Sequence, residues 1–265
     1  MQASAAFSPD GEDWYIINAT PDITTQLAQH PELHPSQGQR HTPIKGVLLT
    51  DAELDHTLGL LHLREGSGWT IHATEPVLSL LETELRITPA LGHYGQPEVA
   101  VVDPTEPLLL GPEGRQVAVH WLETGQDAPR YAGGGTATPW AVSALLLEDV
   151  QSGNKIAYAP GVGVLDETLL ERFGEAAAVL LDGTFWSEDE FPRVGGIPRT
   201  AADMGHAPIG GPGGTAELLS RLPAKTKLYV HINNTNPVLD PGSDARKYIR
   251  DHGIEVAEDG EEVEV

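Results

Sequence analysis

The segment Thr50-Asp51-Ala52-Glu53-Leu54-Asp55-His56 gathers three carboxylates and an imidazole behind a strongly apolar run. Further along, Asp182 follows an apolar run ending at Leu181, His206 follows Met204-Gly205, and His231 directly follows Val230. Polar residues thus sit where three predicted strands end, and in open α/β sheets the reactive crevice lies at strand ends. A single His after a strand is more often a hydrogen-bonded structural residue, and order along the chain does not establish that these groups converge. As a set they are more informative. Asp55 and His56 are adjacent, and with His231 they would supply two imidazoles and one carboxylate, the facial triad of non-haem Fe(II) oxygenases.

Composition narrows the chemistry. The 265 residues contain no cysteine, which removes disulfides, thiolate ligands and a cysteine nucleophile together. Histidine and carboxylates must carry the reaction. Asp and Glu number 39 against 16 Lys and Arg, a net charge of -23, so nucleic acid and anionic membrane surfaces are repelled. The acidic run 255–264 reads as a solvated tail. No stretch reaches the ~20 apolar residues of a membrane span, and no signal-peptide pattern opens the chain. The expected location is the cytoplasm, with self-association as the remaining protein partner.

The elements that must position these residues read as α/β. Apolar runs at 3–8 and 14–18 flank Pro9-Asp10-Gly11, a hairpin signal. Thr20 is the expected N-cap of a helix over 23–29, with Pro21 at its first position. A loop is expected over 31–43. Residues 44–49 form an almost unbroken apolar run, the mark of a strand covered on both faces, and feed straight into the acidic motif. Helices over 57–64 and 75–84 flank a strand at 69–72, a β-α alternation. Strands follow at 117–122, 141–147, 155–159, 177–181 and 227–230, with helices at 166–173, 215–222 and 243–252 and short strands near Ile254 and Val263. The glycine-rich loop 131–138 lacks a GKS or GKT ending and is read as structural. The polar segment 187–214 is the longest loop, and loops of that length are usually functional or mobile. The length suits one domain over 1–265.

The chain resembles the pyrroloquinoline quinone biosynthesis protein B (PqqB) family. The residues that carry the resemblance are the 50–56 motif with Thr57-Leu58-Gly59-Leu60-Leu61 and Leu63-Arg64-Glu65-Gly66 behind it, and His231-Ile232-Asn233-Asn234-Thr235-Asn236-Pro237. Asn18-Ala19-Thr20-Pro21-Asp22, Tyr158-Ala159-Pro160-Gly161, Leu181-Asp182-Gly183-Thr184-Phe185-Trp186 and Met204-Gly205-His206 add to it, so it runs nearly end to end. That family belongs to the metallo-β-lactamase superfamily, which implies an α/β fold, an αββα sandwich. Hydrolytic members carry His-x-His-x-Asp-His plus a later His and a bridging Asp around two zinc ions. Here Asp51 and Glu53 replace the first two His, and Pro160-Gly161 stands where the bridging Asp would fall. The resemblance therefore implies one metal, held by Asp55, His56 and His231, with vacant positions.

It also implies an iron- and dioxygen-dependent hydroxylase acting on the tyrosine ring of a small, peptide-derived Glu-Tyr precursor. Zinc has no redox role and would act only as a Lewis acid or water activator. Asp182 and His206 are candidates for orienting ligands or moving protons. Asp51 and Glu53 either hold a proton network or cap the strand end. Arg64 and Arg199 are candidates for the substrate's carboxylates, which guanidinium binds bidentately. Family members usually begin with a glycine-rich strand-turn segment and a cysteine cluster that binds structural zinc, neither of which this sequence contains, which implies an exposed sheet edge or a substituted partner there. Two other readings stay open: a zinc-dependent hydrolase on the same fold, and a carrier of the quinone or its precursor.

Overall fold

The computed structural model describes residues 3–35, 42–133, 138–195 and 198–265. The chain packs as two compact units, one built from residues through 143 with 149–152, the other from 144–148 and 153–265.

The N-terminal unit holds a five-stranded sheet. Strands β1 (Ala5–Phe7) and β2 (Trp14–Ile17) form the expected antiparallel hairpin. Its turn is fixed by Asp10, whose Oδ1 accepts the N–H groups of Glu12 and Asp13, with Gly11 at φ 81°. After helix α1 (Ile23–Gln29) comes β3 (Ile44–Leu48), parallel to β2 on one side and on the other to β4 (Thr70–Ala73). Burial of both its faces explains the apolar run: the successive residues Val47, Leu48 and Leu49 are all fully buried. Between β3 and β4 lie α2 (Leu54–Thr57) and a 3-10 segment, Leu58–Leu63. Helices α3 (Glu75–Thr83) and α4 (Ile87–Leu91) lead to β5 (Glu98–Val101), which closes the order β1-β2-β3-β4-β5. Val77, Leu78 and Leu81 of α3 pack with Ile16, Val47 and Ile71 of the sheet in one core. The hairpin β6 (Leu108–Leu110) and β7 (Val117–Glu123) completes the unit.

The C-terminal unit runs β8 (Ser143–Asp149, its residues 144–148), β9 (Lys155–Ala159), α5 (Glu167–Phe173), β10 (Ala178–Asp182), α6 (Glu190–Gly195), α7 (Thr215–Ser220), β11 (Thr226–Val230), α8 (Asp244–Asp251) and β12 (Glu255–Val256). Its strands lie in the order β12-β11-β10-β9-β8, antiparallel only at β8–β9. The parallel pair β10–β11 sets Asp182 opposite Val230, so the two strands end side by side. Asp166 caps α5 by accepting from the N–H of Leu169, and Ser243 caps α8 through Arg246.

Several expectations are corrected. Asp22, not Thr20, is the N-cap of α1, and Thr20 instead donates its hydroxyl to Asp22 at 2.7 Å. The expected helix 57–64 starts at Leu54 and tightens into 3-10 geometry from Leu58. A Cβ on Gly59 would stand 2.2 Å from the carbonyl oxygen of Thr20, so chain 19–20 presses directly on that turn. The segment 187–214 is not structureless: it contains α6 and a 3-10 turn at Ala202–Met204, and it buries Glu190, Ala201 and Ile209. The acidic run begins inside β12, where Glu255 pairs with Arg250 at 3.2 Å, and no strand forms at Val263. Parts of the expected loops, 36–41, 134–137 and 196–197, lie outside the described residues.

Candidate functional site

In the N-terminal unit the motif leaves β3 as a tight acidic turn. Asp51 is 1% exposed, and both its oxygens face Nδ1 of His56, at 2.8 and 2.7 Å. The rest of the carboxylate is also used. Oδ1 accepts the N–H of Glu53 at 2.8 Å and Oδ2 accepts the hydroxyl of Thr50 at 2.7 Å. Behind them Asn18, at the end of β2 with φ 57°, accepts the N–H of Thr50 and donates its amide to the Thr50 hydroxyl. Asparagine tolerates that left-handed backbone better than most residues. Burial would raise the pKa of Asp51, but the imidazole of His56 and the hydrogen bonds from His56, Thr50 and Glu53 outweigh it and hold the carboxyl below its usual range.

This geometry has a chemical consequence. With Nδ1–H given to Asp51, the lone pair of His56 lies on Nε2, the form a metal ion binds. Asp55 is half-buried in the first turn of α2, on the same turn as His56. Glu53 caps α2 through its backbone and leaves its side chain exposed, while its carbonyl accepts from the N–H of His56 and the hydroxyl of Thr57.

Tyr131 is the residue that the sequence did not single out here. Its hydroxyl donates to the carbonyl of Ala52 inside the motif. Burial, with Glu53 and Asp51 adding to it, pushes the phenol up, so it remains a neutral donor. Its place in a glycine-rich loop was the available signal.

In the C-terminal unit Asp182, at the end of β10, is the hub. His206 places Nδ1 at 2.6 Å from Oδ2, which also accepts the N–H of Val162 at 3.2 Å. Oδ1 takes the N–H and the hydroxyl of Thr184, at 3.0 and 2.6 Å. Burial works against the charge, but His206 first, then the hydrogen bonds, hold Asp182 well below the ordinary carboxylate range. His231 follows β11 at φ 52°, a left-handed conformation that is uncommon outside glycine and is retained where the surroundings dictate it. Its ring lies 5.5 Å from that of His206, and Phe185 meets His206 edge-on at 5.7 Å.

Asp182, His206 and His231 offer ligand atoms within 4.8 Å of one another. The Asp182 oxygens are nevertheless filled by four donors, which makes this carboxylate an orienting group for the two rings rather than a ligand. The imidazole and carboxylate donors of both units suit a divalent transition metal.

Of the residues the sequence put forward, Asp51 and His56 therefore meet in one unit, and Asp182, His206 and His231 meet in the other. No hydrogen bond or ion pair joins either arginine to these clusters among the described residues. Arg64 is exposed beside Glu65, and Arg199 is half-buried, its guanidinium without a hydrogen bond or ion pair among the described residues.

Residues 13–232 match the family model described as the Beta-lactamase superfamily domain, which with the strand order and the histidine-carboxylate clusters defines a metallo-β-lactamase fold. A chain called coenzyme PQQ synthesis protein B in Cupriavidus taiwanensis is 41% identical over 264 residues, covering 99% of this chain and 87% of the relative. The protein of the same name in Pseudomonas aeruginosa strain PAO1 is 38% identical, covering 100% and 88%. The crystal structure of Zn(2+)-bound PqqB from Methylobacterium extorquens superposes with a TM-score of 0.87 at 31% identity, over 99% of this chain and 87% of that one. The chain belongs to the coenzyme PQQ synthesis protein B family. A diphosphatase of the PhnP family, at 17% identity and a TM-score of 0.60, shares the fold. Among the described residues no helix is long and apolar enough to cross a membrane.

Proposed function

We propose that this chain is a metal-dependent hydroxylase of pyrroloquinoline quinone biosynthesis, using one iron ion to oxygenate the tyrosine ring of a Glu-Tyr-derived precursor. Family membership supports the role in that synthesis, and the zinc held by the Methylobacterium relative supports a divalent metal. The family model runs through both compact units, which favours one functional domain. The observation that carries the single-metal reading is Asp51. It stands where hydrolytic members of the superfamily have a histidine ligand, and it is buried with both oxygens committed to Thr50, Glu53 and His56. A carboxylate so occupied orients His56 instead of binding a metal of its own.

Asp55, His56 and His231 are the proposed ligands. Iron, when bound, supplies activation of dioxygen. A ring C–H becomes C–OH with one oxygen atom, and the other leaves as water with two protons and two electrons from an external reductant. Asp182 fixes His206 with Nδ1–H toward itself, so the free lone pair on Nε2 suits His206 to accept a proton from the phenol ring. Phe185 meets the His206 ring edge-on and adds an apolar neighbour there. Arg199, half-buried and with no hydrogen bond or ion pair among the described residues, is the more available of the two arginines to take a substrate carboxylate. The substrate is a small peptide-derived molecule, and neither nucleic acid nor membrane is a partner.

The match to the Beta-lactamase superfamily model favours a second reading, hydrolysis by one zinc ion on the same fold. Metal analysis of protein purified without added metal, followed by anaerobic Fe(II) loading and dioxygen uptake with the dipeptide precursor, separates the two. The hydroxylase binds one iron per chain and consumes oxygen with substrate. Zinc with no oxygen uptake identifies the hydrolase. Tight quinone binding that survives His231→Ala, without turnover, identifies a carrier.

A further inference from the structure

Thr184 lies two residues beyond Asp182 and is 6% exposed, and its hydroxyl stands between Asp182 and His231. Oγ1 is 2.6 Å from Oδ1 of Asp182, 2.8 Å from Nδ1 of His231 and 2.9 Å from the carbonyl oxygen of His231. The carboxylate and Nδ1 are 3.7 Å apart, too far for a direct hydrogen bond. A hydroxyl has one proton to give and two lone pairs to receive with. The shortest contact is to a buried, ionised carboxylate, and such charge-assisted bonds are about twice as strong as neutral ones. The proton therefore goes to Asp182. What remains facing His231 is a lone pair, and only Nδ1–H can satisfy it.

From this chain of donors we infer that Thr184 is a positioning residue that relays the charge of Asp182 to His231 and fixes the tautomer with its lone pair on Nε2. The inference rests on the reading of His231 as a metal ligand. A histidine ligand is usually oriented by a group on its other nitrogen, and loss of that group lowers metal affinity about 10- to 100-fold. Here the carboxylate acts at one remove, and that lets a single buried Asp182 hold two rings: His206 directly and His231 through the hydroxyl. The backbone of Thr184 is anchored independently of its side chain. Its N–H is held by Asp182, and its carbonyl accepts from the N–H of Asn233 at 3.2 Å and the amide of Asn236 at 3.3 Å. Replacing the hydroxyl by a methyl group thus removes the relay and leaves the turn in place.

The test compares Thr184→Val and Thr184→Ser in the full chain. The first readout is the 15N spectrum of His231 in metal-free protein, assigned with His231→Gln. The second is zinc affinity by competition with a chromophoric chelator. The expected result is a shift of His231 away from the Nδ1–H form in Thr184→Val, with zinc affinity about 10- to 100-fold weaker, and recovery of both in Thr184→Ser. An unchanged tautomer in Thr184→Val overturns the inference. So does weakened binding that serine fails to restore, which marks lost packing. A shifted tautomer with zinc affinity unaltered both there and in His231→Gln removes His231 from the ligands, and then it is the metal reading that fails.

Discussion

Asp51 and His56 are locked together five residues apart, with both carboxylate oxygens within 2.8 Å of one ring nitrogen, in a place with almost no access to solvent. Removing the carboxylate leaves the buried Nδ1–H of His56 unsatisfied, at a cost of about 1–3 kcal/mol. Asp51→Ala is expected to lose that much in urea denaturation. Asp51→Asn keeps the shape, and its expected signature is a zinc affinity about 10- to 100-fold lower with most of the stability retained. Unaltered metal binding in both variants would mean that Asp51 does not orient a ligand.

His206 and Asp182 separate proton transfer from metal binding. His206→Gln is expected to retain the metal and lose about 10²–10⁴-fold in turnover, the usual contribution of a positioned acid or base. Asp182→Asn should lower both, because it frees His206 and, through Thr184, His231. Metal content and turnover of the two variants, measured side by side, check this. Loss of metal in His206→Gln would instead make His206 a ligand.

Gly59 tests how the motif is braced. Its N–H donates to the carbonyl of Ala19, the N–H of Ala19 donates to the carbonyl of His56, and a Cβ would meet backbone on chain 19–20 at 2.2 Å. Backbone cannot yield as a side-chain tip does. Gly59→Ala should therefore destabilise by about 1–3 kcal/mol or more, seen as a lower Tm. A Tm equal to that of the parent chain would show that the turn has room.

His72 on β4 sets an acid limit. Its Nδ1 is buried with no hydrogen-bond partner among the described residues, and burial lowers its pKa from 6.5 to about 4. The unfolded chain then binds a proton between those values that the folded chain refuses. Stability is at its full value above pH 6.5 and falls as the pH drops through this window, at up to about 1.4 kcal/mol per pH unit from this group. His72→Phe should flatten that part of a denaturation-versus-pH profile. An identical slope in the variant would assign it to other groups.

Much of the fold was legible because its central strands are apolar on both faces and helices α5 and α8 begin with side-chain caps. The run 44–49, the Pro9-Asp10-Gly11 turn and the Ser243 cap each announce their structure locally. What stayed hidden depends on partners distant in sequence. Thr20 has the chemistry of a cap, yet Ser4 and Asp22 compete for its hydroxyl. The 3-10 turn after Thr57 is imposed by chain 19–20. Strand β5 has only four residues, with exposed Val99 and Val101, and carries no strong alternation. At the site, the sequence put forward Asp51, His56, Asp182 and His231 by their place at strand ends and His206 by its motif in the long loop, and the structure gathers them into two hydrogen-bonded clusters. Their division of labour was not readable, because it depends on which nitrogen faces which oxygen. Thr184 and Tyr131 act through single hydroxyls, for which no spacing rule exists.

The proposed hydroxylation requires one redox-active metal on two imidazoles and one carboxylate. Its most direct test is anomalous diffraction at the iron and zinc edges from crystals of anaerobically Fe(II)-loaded protein. A single iron peak ligated by Asp55, Nε2 of His56 and Nε2 of His231 is the expected result. Two metal peaks, or a peak whose ligands omit His231, would contradict it.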